Sequence, residues 1–206
     1  ILSAIKDVYP YGPAPLHFCD DHSVVGCDFY LMNYIEGLII RRDYPKNLHL
    51  SPDLIRKQLF NFFDVLGELH SVDLAEAGLE GFGKPEGYVR RQVEGWCRRW
   101  ADAVTPDTVN CDMTIQWLND NMPLESGKAS VIHNDYKLDN VIFDAQDPLK
   151  VIGVLDWEMA TVGDPLMDLG CTLGYWTQVN DPDFFRESRT MPSDMEGRSE
   201  ERRVGK

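Results

Sequence analysis

Between Leu54 and Leu69 the apolar residues recur three or four positions apart, at Leu54, Ile55, Leu59, Phe62, Phe63, Leu66 and Leu69. That period lays one apolar stripe along a helix, and Ser51 followed by Pro52 supplies an N-cap and a first-turn proline. The pattern predicts the central buried helix of a larger lobe, closed by His70 as a satisfied core group rather than a ligand. A second helix is predicted over residues 88–104, where Val89, Val93, Trp96 and Trp100 share a face. Its aromatic stripe reads as core, and Arg90, Arg91, Arg98 and Arg99 read as the solvated side. A third helix runs from Asp112 to about residue 122 with Ile115 and Leu118 inward, and a fourth covers 165–176 with Leu166, Leu169 and Leu173 inward. Shorter β-branched and aromatic runs read as strands at 16–19, 24–27, 29–34, 130–132, 141–143 and 149–155, with a turn cluster at 144–148. The first three suggest an antiparallel meander, preceded by the tail of a helix over residues 1–9 that PYGPAP stops.

The 206 residues, 43% of them hydrophobic, allow one ordinary domain with a core, or two small lobes. A net charge of −14, with basic residues dispersed among acids, excludes a nucleic-acid surface. Five widely spaced cysteines without a CxxC pair suggest neither a disulfide framework nor a zinc site, which fits a reducing, cytoplasmic setting. No apolar run reaches the length of a membrane span, and no signal peptide opens the chain. Residues 191–206 are charged and aperiodic, and read as a tail that is disordered or foreign to the native gene. The oligomeric state is not legible.

Candidate chemistry concentrates between Val131 and Gly170, where polar residues stand at the ends of short apolar runs. Asp135 and Asn140 fall on the loop between two predicted strands, and Asp156 falls at the end of a third. Magnesium on nucleotide phosphates takes about two protein oxygens, and the amide of Asn140 with the carboxylate of Asp156 would supply them. A metal-dependent hydrolase could also use His133 and Asp135, but it needs a second histidine nearby, and His17, His22, His49 and His70 lie on unrelated elements.

HNDYKLDN followed by LDWEMATVGDPLMDLG resembles the catalytic loop and metal-binding aspartate of the protein kinase-like fold. Trp157 and Glu158 after Asp156 make it more similar to the aminoglycoside phosphotransferase and choline kinase group than to protein kinases. It looks most like the phosphotransferase-family domains related to the kinase domain fused to some acyl-CoA dehydrogenases, over roughly residues 1 to 190. The resemblance implies an α+β, bilobal fold: a partial β-rich N-lobe at residues 1–36 ending in a hinge, then a mainly helical C-lobe at 37–190. It implies ATP, Mg2+ and a small-molecule hydroxyl acceptor, which could be an aminoglycoside, a choline-like alcohol or a hydroxyacyl compound, the last slightly preferred. By position, Asp135 matches the base, Lys137 the group that offsets charge on the transferring phosphoryl, and His133 completes the catalytic motif. Asn140 and Asp156 match the metal ligands, and the backbone of Met32, Asn33, Tyr34 and Ile35 matches the adenine-binding hinge. Asp164 before Pro165 reads as a helix N-cap, Asp168 as a brace of the loop, and Glu158 stays open. The family's Gly-rich loop and strand lysine are not found, so the chain reads as truncated at both ends and as weakly active or inactive alone. A non-catalytic nucleotide-binding module is the alternative.

Overall fold

The computed structural model describes residues 1–198. Its centre is the long helix α3 (Pro52–His70), which starts as the sequence predicts: the Ser51 hydroxyl accepts from the Leu54 N–H, and Pro52 occupies the first turn. Ile55, Leu59, Phe62, Val65, Leu66 and Leu69 form its buried face. Two phenols from other segments hydrogen-bond to its carbonyls, Tyr9 to Val65 at 3.2 Å and Tyr136 to Phe62 at 2.7 Å. These bonds let two large aromatic rings enter the core with their polar ends satisfied.

Before α3 come α1 (Leu2–Ile5), β1 (Pro15–Cys19), α2 (His22–Val25), β2 (Phe29–Met32) and β3 (Leu38–Ile39). After it come α4 (Tyr88–Ala103), α5 (Asp112–Asp120), β4 (Ser130–Ile132), β5 (Val141–Phe143), β6 (Val151–Val154), β7 (Thr161–Gly163), α6 (Pro165–Gly174) and α7 (Asp183–Glu187). All strand pairings are antiparallel: a β1–β2 ribbon, a β3–β5–β6 sheet and a β4–β7 pair. The chain therefore mixes helices with small sheets, an α+β arrangement.

Several expectations change in the folded chain. Residues 24–27 do not make a strand, because Asp21 caps α2 by accepting from the Ser23 N–H and Gly26 closes it with φ +87°. The first residues do not join the β-ribbon; Ile5 and Tyr9 are buried in the same core as Phe62 and Trp157. On α4 only Tyr88, Val89 and Gly95 are buried, and Trp96 is 58% exposed, so the aromatic stripe is not core. On α6 Asp168 and Thr172 are buried and Leu169 packs partly buried against the core, whereas Leu166 and Leu173 are exposed. Ile115 and Leu118 on α5 are only half-buried. Finally, Met191, Ser193 and Arg198 are buried, Arg198 against Tyr44 and Gln58, so the packed chain runs beyond residue 190. The remainder of the expected tail, 199–206, lies outside the described residues.

Candidate active site

The polar loop is held by what surrounds it. It leaves β4 at His133, ends in a 3-10 turn over Leu138–Asn140, and continues directly into β5. Tyr136 and Leu138 are fully buried, whereas the side chains of Asp135 and Lys137 stay partly open to solvent. Strand pairing brings in the third segment: Val141 faces Val154, and the Leu155 N–H donates to the Asn140 carbonyl at 2.8 Å. Asp156 thus follows a residue stitched to Asn140, two motif positions that are sixteen residues apart in the chain.

Asp168 braces the loop from below. Its carboxylate is fully buried and accepts from the backbone N–H of His133 at 2.9 Å, from that of Asn134 at 2.7 Å, and from Nε2 of His70 at 2.9 Å. Three donors on one anion offset its desolvation. Asn134 takes φ +63°, a left-handed conformation that asparagine accepts more readily than most side chains, and its side-chain amide holds it there by donating to the Met159 carbonyl at 2.9 Å. Asp164 caps α6 by accepting from the Leu166 N–H at 2.8 Å, and its other oxygen accepts from the Ser126 N–H at 2.7 Å. Both aspartates therefore take the structural places expected of them.

His133 is closed off from solvent. It is fully buried; Nε2 donates to the Leu155 carbonyl at 2.9 Å, and Nδ1 accepts from the Asp135 N–H at 3.2 Å. Burial pushes its pKa below the usual 6.5, against the opposing pull of the Leu155 carbonyl and nearby carboxylates. With both nitrogens committed it cannot touch a substrate. The expectation that it stands among the catalytic groups gives way to a positioning place, beneath the loop and between its two segments.

Asp135 is where donors converge. Oδ1 accepts from the Tyr175 phenol at 2.8 Å, and Oδ2 accepts from the Asn140 amide and the Lys137 ammonium, each at 2.9 Å. Burial pushes the Asp135 carboxyl up, but the hydrogen bonds from Lys137 and Tyr175, the Lys137 charge and the Asn140 amide together hold it below the ordinary value. Burial lowers the Lys137 pKa, and Asp135 with Asp139 more than reverses that. The pair is ionised at neutral pH: a carboxylate able to receive a proton, beside a fixed cation.

Comparison with known proteins decides the family. The model described as "Phosphotransferase enzyme family" matches residues 2–201. This chain belongs to the phosphotransferase enzyme family. It is 38% identical over 157 residues to acyl-CoA dehydrogenase family member 11 of Gallus gallus, an alignment covering 76% of this chain and 20% of that protein. A solved protein of Ralstonia eutropha JMP134 that carries the name aminoglycoside phosphotransferase superposes with a TM-score of 0.78 at 29% identity, over 97% of this chain and 60% of that one. The aminoglycoside phosphotransferase of Streptomyces rimosus in complex with ADP and streptomycin shares the fold at 19% identity, with a TM-score of 0.53 over 84% of this chain and 63% of that one. The chain spans about a fifth of the length of the curated relative. Its architecture is the protein kinase-like fold of the aminoglycoside phosphotransferases.

In this phosphotransferase-family chain a cavity of about 840 Å³ opens beside Asp135, reached through Tyr175. Tyr88, Trp96, Met159, Met167 and Tyr175 give it an apolar wall, and Arg99, stacked 4.0 Å over Trp96, is the charged residue among those lining it. Trp157 is buried and donates from its indole to the Val154 carbonyl at 2.7 Å, which fixes the turn after Asp156. Asp156 itself is exposed at φ +67°, and Glu158 is exposed at the edge of a second cavity of about 570 Å³ shared with α1 and β1. Of the residues expected to form the hinge, Met32 ends β2, Asn33 is tied to Ala14 by two hydrogen bonds, Tyr34 projects outward, and Ile35 packs over Gly153. Sequence reasoning missed Tyr175, Asn134 and the site-facing place of Trp96. Tyr175 carries no local signal, since it stands forty residues from Asp135 and meets it only because α6 ends there. Among the described residues no group of three or more His, Cys, Asp or Glu side chains is arranged to hold a metal ion, and no helix is long and apolar enough to cross a membrane.

Proposed function

We propose that the chain carries the catalytic loop of an ATP-dependent phosphotransferase that moves the γ-phosphoryl group to a hydroxyl of a small-molecule acceptor. The observation that carries this reading is the Asp135–Lys137 ion pair at 2.9 Å, joined through Asn140 to the segment that bears Asp156. Asp135 would accept the acceptor's proton, and Lys137 would offset charge spreading over the transferring phosphoryl oxygens. His133, Asp168 and His70 would keep the loop in register. The backbone of Met32 to Ile35 would receive the adenine.

Magnesium fits the donor set. The Asn140 amide nitrogen is spent on the Asp135 carbonyl and carboxylate, which leaves its oxygen as the group to offer, and Asp156 adds an exposed carboxylate. Two hard oxygens suit an ion that keeps its remaining positions for phosphate and water. When bound, the ion would neutralise phosphate charge.

For the acceptor we favour a hydroxyacyl compound. An aminoglycoside is a polycation and calls for carboxylates, whereas the cavity beside Asp135 offers aromatic and thioether surface and one guanidinium. The curated relative is named for acyl-CoA chemistry. The five free cysteines agree with a reducing cytoplasm.

The test separates base from metal ligand. Asp135→Asn should lower kcat by about 10² to 10⁴ while leaving ATP affinity nearly unchanged, because a base acts in the transition state. Asp156→Asn should weaken magnesium-dependent nucleotide binding. Exchanged phenotypes would show that the two roles are misassigned.

A further inference from the structure

The two oxygens of Asp135 are held differently. Oδ2 takes its donors, Asn140 and Lys137, from the loop that carries Asp135 itself. Oδ1 takes the phenol of Tyr175, which arrives from the far end of α6. A hydroxyl donating to a base oxygen at 2.8 Å is the contact that an acceptor hydroxyl makes as it is prepared for attack. Tyr175 therefore stands in the acceptor's seat. Its ring also lines the cavity, so a molecule filling that cavity meets the group that blocks the base. Tyr175 is the C-cap of α6, so its ring stands at the helix end, partly buried against the core. The Lys137 ammonium, 5.1 Å from the ring centroid, gives the seated ring a second attraction.

Resting on the phosphotransferase reading, we infer that Tyr175 is a positioning residue that guards Asp135 against water and yields its place only to an acceptor filling the adjoining cavity. The reaction held back is hydrolysis. In it a water oxygen bonds to the γ-phosphorus of ATP, the bond from that phosphorus to the β,γ-bridging oxygen breaks, ADP leaves, and the water proton passes to Oδ1 of Asp135 and on to solvent. While the phenol donates to Oδ1, a water must compete with it for that oxygen and for the space the ring fills. Suppressing such side reactions is a general demand on a site that handles a reactive phosphoryl group.

The experiment is ADP release from magnesium-ATP by the full chain with no acceptor present. Tyr175→Phe keeps the ring and removes the donor, and it should raise the rate about tenfold, the order expected for losing one hydrogen bond to a charged group. Adding Asp135→Asn to that variant should abolish the gain, since the water would again lack its base. A packing defect lowers a rate, so a gain is not what a merely structural tyrosine would give. Equal rates in wild type and Tyr175→Phe, zero included, overturn the guard, as does a gain that survives Asp135→Asn. Stabilisation of the wild-type fold by magnesium-ATP is read separately. Nucleotide binding with equal rates defeats the guard alone, and no binding at all defeats the phosphotransferase reading with it.

Discussion

Asp168→Asn exchanges one carboxylate oxygen for an amide nitrogen at a site where every neighbour is a donor. Oδ2 receives the His133 N–H and His70 Nε2, and Oδ1 receives the Asn134 N–H. The least costly orientation keeps the amide oxygen in the Oδ2 position and turns the NH2 toward the Asn134 N–H, donor against donor. One hydrogen bond to a charged group is lost, about 1.5–3 kcal/mol, and a buried N–H is left without an acceptor, about 1–3 kcal/mol more. The expected destabilisation is therefore about 2.5–6 kcal/mol, a large part of the roughly 5–15 kcal/mol that holds an ordinary domain folded. For a chain of this size that corresponds to a fall in Tm of about 5–24 °C. Asn134 directly precedes Asp135 and is held at φ +63°, so its release should also move the base and lower turnover beyond what partial unfolding explains. Urea denaturation gives the free energy, and a double-mutant cycle with His70→Gln should yield a coupling of about 1–3 kcal/mol. An Asp168→Asn protein within about 0.5 kcal/mol of wild type, a range usual for surface changes, would refute the brace.

Two further outcomes can be measured without an acceptor. Because burial depresses the His133 pKa below 6.5, the unfolded chain takes up a proton at that histidine below pH 6.5 while the folded chain does not. Stability should therefore fall as the pH drops below 6.5, until the folded-state value is reached; nitrogen NMR should find His133 titrating below 6.5 with the proton of its neutral form on Nε2, and an ordinary titration at 6.5 would refute the arrangement. Trp96→Ala should cost less than about 1 kcal/mol in urea denaturation, against about 3–5 kcal/mol for the fully buried Phe62→Ala, and comparable losses would put Trp96 back in the core.

Features fixed by neighbours along the chain are legible in the residues alone. Ser51–Pro52 announces α3, and Asp164–Pro165 announces α6, because a cap is made by a side chain and the backbone two or three residues on. The spacing of Asp135, Asn140 and Asp156 is legible for a similar reason: a short loop and one strand pairing leave few ways to arrange them. The faces of α4 and α6 are not legible. A helical period shows that a stripe exists but not which body lies opposite it, and on α6 the fully buried position goes to Asp168, whose hydrogen bonds to the loop leave Leu166 and Leu173 outside. The same holds for residues 191–198, whose sequence has no period yet whose Met191, Ser193 and Arg198 are buried against distant partners. Tyr175 on Asp135 is the sharpest case. Its position in the site depends on the length and direction of a helix packed across the loop, and a contact between residues forty apart is set by how the whole chain closes, which no local pattern encodes.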